Sequence, residues 1–311
     1  MYDFIVVGGG CSGLSAGMYA TRLGLKTLVF AELPGGLITT THLVENWPGI
    51  ISTTGPDLAM SLYSHAEASG AEIKGEIVSK IEKLPDANGY PQFKTTTSTG
   101  EYISKTVLIA TGTKHKHLGV PGEKEFENKG VSYCALCDGA FFKNKVVAVV
   151  GGGDSAAKEA IFLSEHASKV YLIVRKDFLR AEPLNAQRIA KNPKIEILYK
   201  TEIESISGTK SMEKVKFKAG EGTMSGKEIE MQGIFMAIGQ DPQTELAKDL
   251  GVELNAKREI IINRKSETNI RGVFAAGDCC DSEFKQAITG SAEAVTASYH
   301  AFHVCTSGDG F

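Results

Sequence analysis

Long apolar runs are missing from this sequence. The only hydrophobic stretch near its start is FIVV at residues 4–7, with glycines directly after it. That is far short of the ~20 residues of a membrane span and too short for an export leader. An excess of positive charge is missing too. Lys and Arg number 34 against 37 Asp and Glu, for a net charge of −3, and no basic run or face stands out, which argues against a nucleic-acid partner. Cysteine is sparse, six in 311 residues, too few for a disulfide scaffold. No second Cys or His pair lies at zinc-ligand spacing: Cys279 and Cys280 are adjacent, and His300, His303 and Cys305 are explained as well by an amphipathic helix, so no metal is expected. No low-complexity linker appears. These absences leave a soluble, cytoplasmic protein with no membrane or nucleic-acid partner as the expectation.

What is present is a globular balance, 42% hydrophobic and 23% charged, in a chain long enough for two domains. Two segments look alike. FIVVGGGCSG at 4–13 and VAVVGGGDSA at 147–156 each place an apolar β-branched run before a glycine cluster and a run of small residues. The likeness continues without a gap, LKTLVFAE at 25–32 lying over SKVYLIVR at 168–175. Strand, tight turn and helix, twice, predict two βαβ dinucleotide folds. Gly8 and Gly151 suit the tight turn, Gly10 and Gly153 a close backbone approach to a pyrophosphate, and Gly13 or Ala156 close helix packing. The pyrophosphate then sits on a helix N-terminus, whose unpaired N–H groups favour anions.

The end of the second strand separates the copies. Glu32 stands there in the first and Arg175 in the second, followed by Lys176 and Arg180. An acid accepts from a ribose 2′-OH, whereas an arginine suits a 2′-phosphate. The first fold is therefore expected to hold FAD or NAD, and the second NADPH. TVLIATG (106–112), GIFMAIGQDP (233–242) and GVFAAGDCCD (272–281) read as further strands delivering loops to a crevice. Segment 79–104, with Asn88-Gly89, reads as a β-meander, and 195–232 has the same character. CALCDG at 134–139 leaves three possibilities open: a disulfide, half a zinc site, or an electron shuttle.

Over nearly its full length the chain resembles the low-molecular-weight thioredoxin reductases. The resemblance is carried by VVGGGCSG, PGGLITTTHLVENWPG (34–49), ATG (110–112), CALCDGAFF (134–142), VVGGGDSA, VRKDFLRA (174–181), AIGQDPQT (237–244) and FAAGDCCDSEFKQA (274–287), in that order. It implies an α/β protein of two Rossmann-like dinucleotide-binding domains, three-layer ββα in type. The FAD domain would be discontinuous, at 1–114 and 243–311, and the NADPH domain, at 115–242, would carry the redox pair. Gly8, Gly10, Ser12 and Gly13 would hold the FAD pyrophosphate and Glu32 its ribose. Gly35, Gly36, Thr40 and Asn46 would lie along the flavin. Asp278 would bind the ribityl–phosphate region, and Lys285, Gln286 and Ala287 would border the isoalloxazine. Gly151, Gly153, Asp154, Ser155 and Ala156 would hold the NADPH pyrophosphate, with Arg175, Lys176 and Arg180 on the 2′-phosphate. Cys134 and Cys137 would form the redox disulfide, with Asp138 as proton donor and acceptor.

The implied activity passes electrons from NADPH through FAD and this disulfide to a thioredoxin or thioredoxin-like protein, in a homodimer whose domains hinge near 113–117 and 240–244. The chain departs from the family where Val174-Arg175-Lys176 replaces His-Arg-Arg, which weakens the expected preference for NADPH. Leu37, Lys285 and Cys11 also depart, as does Ser291-Ala292-Glu293-Ala294. One alternative keeps the fold and changes the donor to NADH, ferredoxin or a deazaflavin. Another is a dithiol oxidase using oxygen, against which Asp138 argues, since such oxidases tend to have His there. A third is a non-enzymatic zinc or redox-sensor protein.

Overall fold

The structure, a computed structural model, describes residues 1–41 and 44–307, with the backbone alone at 136, 137 and 307. The chain divides into two compact units, one made of Met1–Lys114 and Pro242–Phe311, the other of His115–Asp241.

The first unit opens with β1 (Tyr2–Val7), α1 (Cys11–Arg22), β2 (Thr27–Phe30), α2 (Gly55–Ala68) and β3 (Glu72–Lys74), then a meander of β4 (Val78–Ala87), β5 (Tyr90–Thr97) and β6 (Glu101–Ile109). Positive φ at Asn88 (52°) and Gly89 (82°) closes the β4–β5 hairpin, as that dipeptide predicts. The sheet order is β3-β2-β1-β6-β5-β4. β6 has two roles: its start pairs antiparallel with β5 and its end parallel with β1. Alternation along the strands decides which layer each side chain joins. Phe4, Val6 and Leu108 pack under the helices, whereas Ile5, Val7, Val107 and Ile109 pack against Val78, Ile81 and Phe93 of the meander.

The chain leaves this unit within β7 (Thr113–His115). The second unit contains β8 (Val131–Ser132), α3 (Ala135–Asp138), β9 (Val146–Val150), α4 (Asp154–His166), β10 (Lys169–Val174), α5 (Pro183–Ala190) and β11 (Ile195–Tyr199), then β12 (Ile203–Gly208), β13 (Met212–Phe217), β14 (Glu228–Glu230) and β15 (Gly233–Met236). A parallel sheet ordered β11-β10-β9-β15-β8 has the antiparallel β12-β13-β14 beside it. The layering repeats that of the first unit: Val147 and Val149 face α4, and Ala148 and Val150 face Val215 and Phe217. The meander expected over 195–232 starts only at Ile203, because 195–199 is the edge strand of the parallel sheet. An edge strand with Glu196 and Tyr199 exposed carries the same alternating pattern as a meander strand, so periodicity could not separate them.

The chain returns within β16 (Gln240–Pro242) and completes the first unit with α6 (Glu245–Leu250), β17 (Val273–Ala275) and α7 (Ala287–Ser307). β17 pairs in parallel with the end of β6. α7 packs on α1 through small buried residues, Ala294, Ala297 and Ala301, and Ser298 Oγ donates to Ala16 O at 3.2 Å. Small side chains let these backbones approach closely. Both units are thus Rossmann-like α/β folds in three layers, and the first is built from both ends of the chain.

The turn after β1 leaves no space for a side chain. Gly8 has φ 114°, and a Cβ there would fall on Ala110 O. A Cβ at Gly13 would fall on Gly8 O, so α1 begins against the turn itself. Replacing Gly13 with Ala is expected to force the two apart and to cost about 1–3 kcal/mol. Ala156→Gly, at the matching place in the second unit, leaves the geometry open and costs about 1 kcal/mol. Urea unfolding of each variant measures both, and a Gly13→Ala protein as stable as its parent would refute the account.

Candidate functional site

The first cradle is the loop between β1 and α1. The helix starts at Cys11 with Gly10 as N-cap, no side-chain cap bond and no acid in the first turn, so its positive end is not answered by a side chain. Gly35 N donates to Gly9 O at 2.7 Å, which lays residues 35–36 along the turn. A Cβ at Gly36 would come within 3.2 Å of Gly10 Cα, so the passage is backbone against backbone. Thr40, at the end of the 3₁₀ turn Gly36–Thr40, donates to Leu37 O at 2.8 Å. Glu32 is exposed just past the end of β2.

Distant segments converge on this cradle. Ser12 Oγ sits where a Cβ at Gly277 or at Gly290 would come within 2.6 Å, so the first helix turn, the loop after β17 and α7 meet there. Asp278 follows Gly277, and burial pushes its carboxyl above the ordinary value while Lys285 pulls the other way. Asn46 Nδ2 donates to Gln286 Oε1 at 3.0 Å, and Gln286 lies just before Ala287, the first residue of α7. Lys285 is held within the unit: its Nζ lies 2.6 Å from Glu259 Oε1 and donates to Asp278 O and Cys280 O at 2.9 and 2.8 Å. Cys11 is buried and its thiol is pushed up to about 11 by burial, as suits an inert core residue. Cys279 and Cys280 are free thiols with no solvent exposure, packed in the core beside Ile109.

Two residues outside the sequence expectations support this cradle. Glu259 neutralises Lys285, and nothing in the sequence around it signals that role. Glu293 lies in the 291–294 segment noted as a departure. Its carboxylate accepts Gly277 N at 2.9 Å and the Ser282 hydroxyl, fixing the loop that carries Asp278.

The second cradle lies between β9 and α4. A Cβ at Gly151 would fall on Ala237 O, and Ala156 is fully buried beneath the turn. Gly153, the N-cap of α4, has open space around it, and Ser155 is exposed. Asp154 turns to the protein: Oδ1 accepts Glu182 N and Asn185 Nδ2, both at 2.9 Å, and Oδ2 lies 2.9 Å from Lys158 Nζ. Burial alone would raise its pKa, but Asn185, Lys158 and the Glu182 N–H together hold it below the ordinary value. Arg180 N donates to Gly152 O at 2.7 Å, which brings residue 180 onto the glycine turn. Arg175, Lys176 and Arg180 are all exposed there, and Lys176 Nζ lies 5.2 Å from the Phe178 ring centre. Val174 is buried against Gly152, so this position adds packing and no charge.

The cysteine segment belongs to the same unit. Ser132 Oγ accepts Cys134 N at 3.0 Å, and α3 begins at the next residue. Cys134 is half-buried and disulfide-bonded. Cys137 lies in α3, and its side chain is outside the described residues. Asp138 closes α3, with its N–H on Cys134 O at 3.2 Å; its side chain does not cap the following 3₁₀ turn Gly139–Phe142. The segment is anchored by Gly139, where a Cβ would meet Phe162 and Leu163 at 3.0 and 3.1 Å, and by Phe142 edge-on to Phe235 with ring centres 5.3 Å apart. Just before Cys134, the Tyr133 hydroxyl donates to Glu123 at 2.9 Å and lies 2.7 Å from His117 Nδ1. Burial, then Glu123, pushes the Tyr133 phenol well above its ordinary value. Among the described residues no cluster of His, Cys, Asp and Glu is arranged to hold a metal ion, and no helix is long and apolar enough to cross a membrane.

Comparison with known proteins places this geometry in a context. The family model of the pyridine nucleotide-disulphide oxidoreductases matches residues 2–294. The chain is 37% identical to the thioredoxin reductase of Bacillus subtilis over 306 residues, 97% of this chain and 94% of that protein. It is 41% identical to that of Spironucleus barkhanus over 304 residues, 96% of each. The crystal structure of the Lactococcus lactis thioredoxin reductase superposes with a TM-score of 0.92 at 37% identity, covering 99% of this chain and 100% of that one.

The ties of Asp154 yield a test. Asp154→Ala is expected to free residues 180–185 and to cost about 1–3 kcal/mol. Because the folded pKa is lowered, this contribution is complete above the unfolded value of 3.8 and is lost as the pH falls below it. Faster amide exchange at 180–185 in the variant at pH 7, with the stability gap closing in acid, is the expected pattern; unchanged exchange would refute it.

Proposed function

This chain belongs to the thioredoxin reductases of the pyridine nucleotide-disulphide oxidoreductase family, and on that premise we propose that it reduces the disulfide of a thioredoxin or thioredoxin-like protein with electrons taken from NADPH. Membership makes it a flavoprotein oxidoreductase that uses a nicotinamide nucleotide. The observation that carries the finer reading is local to one unit. α3, which directly follows the disulfide-bonded Cys134, packs on α4, which a glycine cradle flanked by Arg175, Lys176 and Arg180 leads into.

The residues fit the groups proposed for them. In the first unit a Cβ at Gly36 would press within 3.2 Å of Gly10 Cα, the helix end lacks a side-chain cap, and Asp278 is a half-buried carboxyl beside the turn. Gly8, Gly10, Ser12, Gly13 and Glu32 would hold the nucleotide half of FAD, and Gly35, Gly36, Thr40, Asn46, Asp278, Lys285, Gln286 and Ala287 the rest. When bound, FAD supplies a carrier that accepts a hydride and yields an electron pair to a disulfide. In the second unit Gly151, Gly153, Asp154, Ser155 and Ala156 would hold the NADPH pyrophosphate, and the three cations its 2′-phosphate. Asp154 orders the 180–185 loop and through it Arg180.

Once Cys134 and Cys137 are reduced, Cys134 attacks the partner's disulfide as a thiolate, forming a mixed disulfide and releasing one partner thiolate. Cys137 then attacks Cys134 Sγ, which expels the second partner thiolate and restores the bond. Asp138, beside Cys137, gives and takes the protons of these exchanges. Since the cysteine segment and the second cradle share a unit and the flavin cradle belongs to the other, the reading includes hinging at 113–117 and 240–244, where the chain crosses twice. It also includes a homodimer in the cytoplasm.

Anaerobic titration of the yellow protein tests the donor. NADPH is expected to bleach the flavin at lower concentration than NADH. Arg175→Ala is expected to raise the KM for NADPH about 10–100-fold, the loss of one charged hydrogen bond, and to leave that for NADH unchanged. Equal bleaching by both nucleotides would remove NADPH from the reading. Cys134→Ser is expected to abolish thioredoxin reduction while bleaching by NADPH persists; full thioredoxin reduction by that variant would refute the role of Cys134.

A further inference from the structure

Glu159 is a buried acid that the proposed cycle does not use. It lies on α4, with Ala156 one turn before it and Phe162 and Leu163 one turn after, so these four share a helix face. Ala156 and Leu163 pack in one cluster with Ala135 of α3 and Phe142, and Phe162 and Leu163 close over Gly139, the residue after Asp138. The face that carries Glu159 is therefore the one on which the redox segment rests. Glu159 is half-buried as a residue, but its Oε2 is buried and has no hydrogen-bond partner. An acid left this way is costly unless it keeps its proton.

Burial alone acts on the carboxyl and pushes it up to about 8. The elements packed against α4 carry few other titratable groups. α3 has Cys137 and Asp138, with Cys134 just before it; the 3₁₀ turn and β9 have none; α5 has Arg188; β10 has Lys169 and Tyr171; and β11 has Glu196 and Tyr199. Lys169 and Glu196 neutralise one another at 2.7 Å. α4 itself adds Asp154, Lys158, Glu165 and His166, the first two paired.

We propose that Glu159 is a positioning residue that holds a proton beneath the redox disulfide and keeps the reduced pair from facing a buried charge. The inference rests on the reading of Cys134 as half of that disulfide. The S–S bond takes an electron pair from a dithiol reductant, which is itself oxidised to a disulfide. Of the two sulfurs released, one binds a proton and the other remains a thiolate. The new negative charge on the segment strengthens Glu159's hold on its own proton. Above its resting pKa, Glu159 therefore takes up a proton from water as the pair is reduced and gives it back on reoxidation.

The test uses the holoprotein reduced with dithiothreitol, so it needs neither nucleotide nor thioredoxin. The rate of Cys134 alkylation by iodoacetamide is followed from pH 6 to 10 in the wild type and in Glu159→Gln. The wild type is expected to show a second inflection near or above pH 8. Glu159→Gln is expected to lack it and to react up to about threefold faster between the pKa of Glu159 and that of the thiol, where a thiol lower by half a unit carries about three times the thiolate. In parallel, the oxidised-minus-reduced infrared spectrum of the wild type, recorded above pH 8, is expected to contain the C=O stretch of a carboxyl protonated on reduction, absent in the variant.

Identical alkylation profiles overturn the inference alone. A wild-type spectrum without the carboxyl band overturns it too, even if the Gln protein fails to fold. A Cys134 that never becomes alkylatable overturns the redox reading, and the inference with it.

Discussion

The constraint on which the molecule depends is a steric one, met twice. In each unit a glycine just after one parallel strand, β1 or β9, lies so close to a carbonyl of a neighbouring strand end, Ala110 O or Ala237 O, that no side chain fits. This contact ends the strand, turns the chain and points the next helix's N-terminus at the place where the strands finish. Groups from several strand ends then converge on the same helix end. Gly277 and Asp278 arrive after β17, and Arg180 is drawn onto Gly152 after β10. The open crevice beyond the carboxyl ends of parallel strands is where such folds bind nucleotides.

Much of this architecture was legible because its causes are local. A glycine turn between an apolar strand and a small-residue helix has one sensible reading, and finding it twice with Glu32 and Arg175 in matching places separates the two cradles. Asn88-Gly89 declared its hairpin for the same reason. What stayed hidden depends on contacts between residues far apart in sequence. Glu259 meets Lys285, Asn46 meets Gln286, and Glu123 meets Tyr133 and thereby His117, none at a spacing that hints at a partner. The strand at 195–199 escaped because exposure of one edge mimics a meander.

Acids in the second unit are distributed in a way that bears on its chemistry. Asp154 is ionised and fully engaged in ordering a loop. Glu123 is buried but answered by two backbone N–H groups and a phenol. Among the acids of the described residues in this unit, Glu159 alone has a buried oxygen that nothing answers. Two of these carboxylates are structural in an ordinary sense, since their charge is compensated where it lies. The third keeps free energy in reserve and lies next to the segment whose charge changes when a disulfide opens.

The packing of α7 ties residues near 300 to the start of the chain, through Ser298 on Ala16 of α1 and Cys305 beside Asp3 of β1. The second unit, by contrast, is one uninterrupted stretch of chain. During synthesis the two therefore mature in an order opposite to their numbering. The later unit has all of its strands once residue 241 clears the ribosome, while the earlier one waits with an uncovered helix face until its last helix arrives. A nascent chain stalled in between would carry a finished nucleotide fold behind an unfinished one, and that exposed face is where a chaperone would find it.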